Sequence, residues 1–351
     1  MIDLRGKDMV LSEALVADGP NAVITVRGGS VTAPTNWFGS AKPFALVARK
    51  GGLLRLDNVQ VVASGVLCED GGRVELVQSM ILGAPSEGMM CKGTGSRVSM
   101  QGGVIKDPSM HGIICDMGSY VELHGVEISD CHYMGIVPRG PDSKVVADGC
   151  RISRCRHAHG VSCEDGGRAE LRDVRIAGCG GVGVYCEGDG TSAVIRGGRI
   201  ADTTQAGLVC RSAARVEMRN VEIAKSKGIG VVVTHRRSKV VAQGGRIKGC
   251  NNKGILCQDG GTVEMGAVEV SNCRGGGFHV QSSGSKAVVR GGRIAGCKEG
   301  DGVCCVDGGQ AEVRDVEIAN CGKYGLCSSG GSVRHSGCTF TGCGEGSRFG
   351  C

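Results

Sequence analysis

The stretch Val161-Ser-Cys-Glu-Asp-Gly-Gly-Arg-Ala-Glu-Leu-Arg-Asp-Val-Arg-Ile-Ala-Gly-Cys-Gly-Gly-Val-Gly183 holds three short runs of alternating apolar and polar residues: Val161 to Cys163, Ala169 to Leu171 and Val174 to Ile176. A period of two, bounded by Gly and Asp, is the signature of a β-strand. The stretch also recurs. From Gly65 onward an opening glycine falls at Gly88, Gly112, Gly135, Gly160, Gly183, Gly207, Gly230, Gly254, Gly277, Gly302 and Gly325, in steps of 23 to 25 residues. A unit of this length buries its apolar side only by stacking on its neighbours. Three strands per unit, each turning one side inward, predict an all-β solenoid: a single-stranded right-handed parallel β-helix of about 13 coils with 23–25 residues in each. The right hand follows from the chirality of parallel crossovers.

These repeats resemble the parallel β-helix repeats of the pectin-lyase-like superfamily, over residues 45 to 345. That group includes polysaccharide lyases and hydrolases, viral tailspikes and noncatalytic interaction domains. The resemblance therefore implies the fold, and function must be sought in side chains grafted onto the coils.

Composition agrees with stacked coils. Of 351 residues, 63 are glycine and 7 are proline, aromatics make up 3%, and 41 basic against 35 acidic side chains leave a formal charge of +6. The mild excess is spread along the chain, whereas nucleic-acid binders concentrate theirs. The chain has no apolar run of membrane-spanning length. Its start, Met1-Ile-Asp-Leu-Arg, carries charge where a signal peptide needs an apolar core, so a cytoplasmic protein is expected, free or built into a particle. One domain is expected, with residues 1–21 as an N-terminal cap, 22–345 as the β-helix and 346–351 as a C-terminal tail. Asp8 to Ala17 reads as helical, with Met9, Val10, Ala14 and Leu15 turned toward the first coil, and Trp37 to Phe44 reads as a loop against the body.

The 21 cysteines follow the coil. Cys68, Cys91, Cys115, Cys163, Cys186, Cys210, Cys257 and Cys305 each stand three residues after an opening glycine, with Pro138, Val233 and Val280 filling the gaps. Cys131, Cys155, Cys179, Cys250, Cys273, Cys297 and Cys321 follow the third strand, with Thr203 and Ser226 in the gaps. Valine as a substitute marks the first column as packing, since buried free cysteine behaves as a small hydrophobe. No spacing fits a zinc site, and no cofactor is expected.

Charges recur with the same period. The outward position of the third strand runs Arg199, Glu222, Arg246, Glu269, Arg293, Glu317, alternating in sign from coil to coil. On the second strand Glu122, Glu170, Glu217, Glu264 and Glu312 alternate with Val146, Val194, Val241 and Val288. With Met80 and Val104 on the third face, those valines are read as an exposed apolar row and a candidate lateral interface.

The acidic constellation of a polysaccharide hydrolase is not found. Arg246-Ile247-Lys248 matches a polygalacturonase element by letter, yet it is this repeat's own Arg-Ile unit, and Ala158-His159-Gly160 lacks an Asp pair beside it. Asp70, Asp165, Asp259 and Asp307 recur on alternate coils, too far apart for one calcium ion, and Asp before Gly-Gly is a common turn choice. One irregular place stands out. His111, His132, His157 and His159, with Asp130, Tyr133 and Arg156, fall at the third turn of three successive coils, a candidate ligand or metal edge. The expected function is a noncatalytic structural or interaction protein that self-associates or joins other protein subunits. A carbohydrate-active enzyme and a domain recognising a peptide or glycan are the alternatives.

Overall fold

The computed structural model describes residues 1–33 and 44–350. They form a parallel β-solenoid of about 14 turns, and no helix occurs among the described residues. Two compact units divide the chain, Met1–Arg175 and Ile176–Cys351. In the first, a coil reads Ile113–Asp116, Tyr120–His124, Glu127–Ser129; in the second, Ile255–Gln258, Thr262–Gly266, Glu269–Ser271. Each strand pairs in parallel with its counterpart one coil away, residue for residue, as Cys91 with Cys115 and Cys186 with Cys210.

The opening glycine is explained by close approach. A Cβ on Gly135 would lie 2.5 Å from the Gly160 carbonyl oxygen and 2.6 Å from Ile152 Cγ2. The chain must pass there over the branched side chain of the third strand, and only glycine fits. The recurrent aspartates are explained by backbone conformation. Asp70, Asp165, Asp259 and Asp307 all have φ between 50° and 52°. This is the left-handed turn region that Asp tolerates better than most residues.

The core is a column of Val, Ile, Leu and Cys. Every cysteine of the two expected columns is buried. The first column also bonds. Cys68, Cys115, Cys210 and Cys257 each donate a thiol hydrogen bond to the carbonyl oxygen four residues on, at 3.1 to 3.2 Å. Burial pushes Cys115, Cys210 and Cys257 up to about 12, so these thiols stay protonated.

Three expectations need correction. Residues 8–17 form no helix: Asp8–Val10 and Leu15–Asp18 are strands, and Leu15 to Asp18 pair with Leu46 to Arg49. An available sheet edge outweighs a weak helical pattern, because pairing along it satisfies backbone groups that so short a helix would leave open. The C-terminal residues Gly346–Phe349 likewise pair with Tyr324 to Cys327 rather than trailing as a tail. The valines do not form an exposed row. Val146 and Val288 are only 5% and 7% exposed, and Val194, Val241, Met80 and Val104 are half-buried. The loop expected at Trp37 to Phe44 falls outside the described residues except for Phe44, which is buried at the start of a strand.

Candidate functional site

The histidine edge lies in the first unit, and its local frame comes from the turn after the third strand. Asp107, Asp130 and Arg154 open three successive turns with φ of 56°, 59° and 54°. A buried residue follows in each, Pro108, Cys131 and Cys155, and the next side chains lie nearer the surface. Backbone hydrogen bonds then stack turn on turn. The His132 N–H donates to the Pro108 carbonyl at 3.1 Å, Tyr133 N–H to Met110 at 3.0 Å, and His157 N–H to His132 at 3.1 Å.

This stacking brings rings together. His132 and His157 lie 4.6 Å apart between centroids, His132 meets Tyr133 edge-on at 4.9 Å, and Tyr133 reaches His111 at 5.9 Å. Edge-to-face and tilted contacts at these separations are favourable ring geometries. His111 Nδ1 accepts the Met134 N–H at 3.3 Å, which fixes that ring's orientation. Burial lowers the His111 pKa against the raising influence of buried Glu87. Met110 and Tyr133 are exposed, giving the edge an apolar rim.

The other expected members are placed differently. His159 is half-buried in the same turn, and desolvation holds it near pKa 4, so its imidazole is neutral at physiological pH. Asp130 is taken by Arg154, which donates two hydrogen bonds to its carboxylate at 2.7 and 2.8 Å. Arg156 likewise reaches back to Asp107 at 2.7 Å. Among the described residues, no three His, Cys or carboxylate ligand atoms of this edge lie within 4.8 Å of one another. The edge is a row of tilted and edge-on rings flanked by two ion pairs. Glu87 and the exposed Met110 were not singled out from sequence. Glu87 was legible, since it stands immediately before an opening glycine, as His111 and His159 do.

The strand faces carry ion pairs. The sign-alternating third-strand residues pair in register from Arg199 to Glu317. Glu222 there accepts from Arg199 at 2.6 Å and Arg246 at 2.8 Å, with Lys248 at 3.4 Å. On the second-strand face, Lys144 meets Glu170 at 2.5 Å and Lys239 meets Glu264 at 2.8 Å. A shallow depression of about 280 Å³ in the first unit is bordered by Arg73, Arg97, Tyr120, Glu75, Glu122 and the small Ser99.

Stacked parallel coils define a β-solenoid protein. Residues 50–191, 140–294 and 230–350 match the right-handed β-helix region, and the chain belongs to that family. Among solved structures, it is similar to the catalytic unit of the thermostable GH87 α-1,3-glucanase from Streptomyces thermodiastaticus. There the TM-score is 0.56 and the identity 12%, over 78% of this chain and 58% of that one. The chain thus spans less than two thirds of that catalytic unit. Lower in similarity are the periplasmic alginate epimerase AlgG, with TM-score 0.45 and 12% identity over 93% and 85% of the two chains, and the receptor-binding domain of the Siphovirus 9NA tailspike, with 0.33 and 11% over 95% and 72%. At such identities the likeness is one of fold. No curated protein sequence matches the chain.

Proposed function

We propose that this protein is a noncatalytic structural and interaction β-helix that meets a second copy of itself along the histidine–tyrosine turn, as a building block of a larger cytoplasmic particle. The observation that carries this reading is the ring array itself: four rings in contact on stacked turns, with Tyr133 and the neighbouring Met110 exposed. The flanking pairs, Arg154 with Asp130 and Arg156 with Asp107, put both signs of charge beside the rings. A patch carrying both signs can meet its own copy under a two-fold rotation that sets each cation against the partner's carboxylate. Elsewhere many carboxylates are engaged by cations of neighbouring coils, which suits a regular scaffold better than acid–base chemistry.

The test is solution mass against concentration, by light scattering on a sizing column under reducing conditions. A dimer or larger species that reverts to monomer in Tyr133→Asp supports the reading. A monomer at every concentration overturns it.

A second reading is favoured by the depression at Ser99, where Arg73, Arg97 and Tyr120 offer two cations and a ring to an acidic sugar. Titration with uronate oligosaccharides checks it, with Arg97→Ala as the variant expected to abolish any binding.

A further inference from the structure

In the second unit, the outward position of the first strand changes character. Along one register column it runs Val209, Val232 and Leu256, all apolar, and then His279, Cys304 and Cys327. Cys304 and Cys327 belong to neither core column. Cys305 occupies the inward position, so strand alternation turns Cys304 to the opposite face. Cys304 is 9% exposed and Cys327 is half-buried. Asp301, immediately before the opening glycine of that coil, reaches the same place, with Oδ1 accepting the Tyr324 N–H at 3.0 Å. One ligand atom from each of Asp301, Cys304 and Cys327 lies within 4.8 Å of the other two.

We propose that Asp301, Cys304 and Cys327 form a binding site for a thiophilic divalent cation, zinc by its chemistry, with the fourth coordination position open. Two thiolates and a carboxylate are an ordinary tetrahedral zinc set, with Zn–S near 2.3 Å and Zn–O roughly 2.0–2.2 Å. Ligands at those lengths stand about 3.5 to 3.8 Å from one another, so small side-chain rotations close the site. The Tyr324 N–H holds the carboxylate in place, a contact that orients a metal ligand. His279 stands in register beside Cys304 one coil earlier, with its Nε2 3.1 Å from Gln281 Oε1. Zinc binds the thiolate forms, so it enters as the two thiol protons leave. The site is independent of the histidine edge, which lies in the other unit.

The experiment is a zinc titration of the full chain, kept reduced with a phosphine and monitored with a competing chromophoric chelator, followed by cobalt substitution. One zinc per chain is expected, with the intense red-region bands of tetrahedral, thiolate-bound cobalt and release of protons on binding. Cys304→Ser, Cys327→Ser and Asp301→Asn should each weaken zinc by at least about tenfold, or about 1.4 kcal/mol. Cys338→Ser with Cys343→Ser should leave it unchanged. Circular dichroism checks that each variant is folded, and if one is not, the charge-transfer intensity of the wild-type cobalt complex still counts its thiolates. Octahedral cobalt without thiolate bands, binding that survives Cys304→Ser, or no binding by the reduced chain overturns the proposal.

Discussion

Glu222 illustrates how one side chain is governed by its neighbours on adjacent coils. Its partial burial opposes ionisation, but the hydrogen bond from Arg246 and the charges of Arg199 and Lys248 more than offset this, and its pKa falls below the ordinary value of 4.5. A depressed carboxylate stabilises the folded state at every pH above its unfolded value. That stability is lost as pH falls through the lower folded value. Glu222→Gln is therefore expected to lower stability by about 1 kcal/mol at neutral pH, a figure kept small by solvent screening of the surrounding cations. The difference should shrink as pH falls through the folded value, and chemical denaturation across a series of falling pH checks this. A constant deficit across the series would mean that charge is not the cause. The cysteines yield to similar reasoning. Their spacing after each opening glycine was legible, whereas the thiol bond to the carbonyl four residues on was not, because it depends on how tightly the following turn closes.

Strand pairing gives the alternation of Glu and Val its reason. Val241 stands in register between Glu217 and Glu264, and Val146 between Glu122 and Glu170. Adjacent coils are roughly 4.8 Å apart, where like charges repel. Placing valine on every second coil separates the carboxylates to about twice that distance. Lysine stems then run diagonally beside the valines, Lys144 to Glu170 and Lys239 to Glu264, and shield them from water. Val241→Glu, which sets three carboxylates in a row, is expected to destabilise by roughly 0.5–1 kcal/mol. Val241→Lys should be neutral or stabilising. Thermal melts of the two variants at low salt decide between this account and one based on valine packing, which would penalise both alike. Sequence alternation established which side of the strand these valines take. It could not establish their exposure, because that depends on where the neighbouring long side chains lie.

Across the whole chain, burial orders the chemistry of the thiols. Among the described residues, only Cys327, Cys338 and Cys343 are more than marginally accessible. Native, reduced protein treated with iodoacetamide should therefore label at these positions first among the described cysteines, with Cys115, Cys210 and Cys257 protected until unfolding. Mass mapping over time tests this, and rapid modification of Cys210 would contradict the buried column. The period of 23 to 25 residues, the inward and outward sides of each strand and the pairing of charges between coils were all determined by sequence. A repeat places equivalent residues side by side as soon as its coils stack. Tertiary structure alone decided the rest. Residues 8–17 became strands because a sheet edge was there to receive them. The histidines of the third turn became a ring array, with Asp130 drawn off by Arg154, because turn stacking sets ring separations that spacing along the chain does not encode. Asp301, Cys304 and Cys327, scattered across two coils, became neighbours because parallel register lays one coil directly on the next.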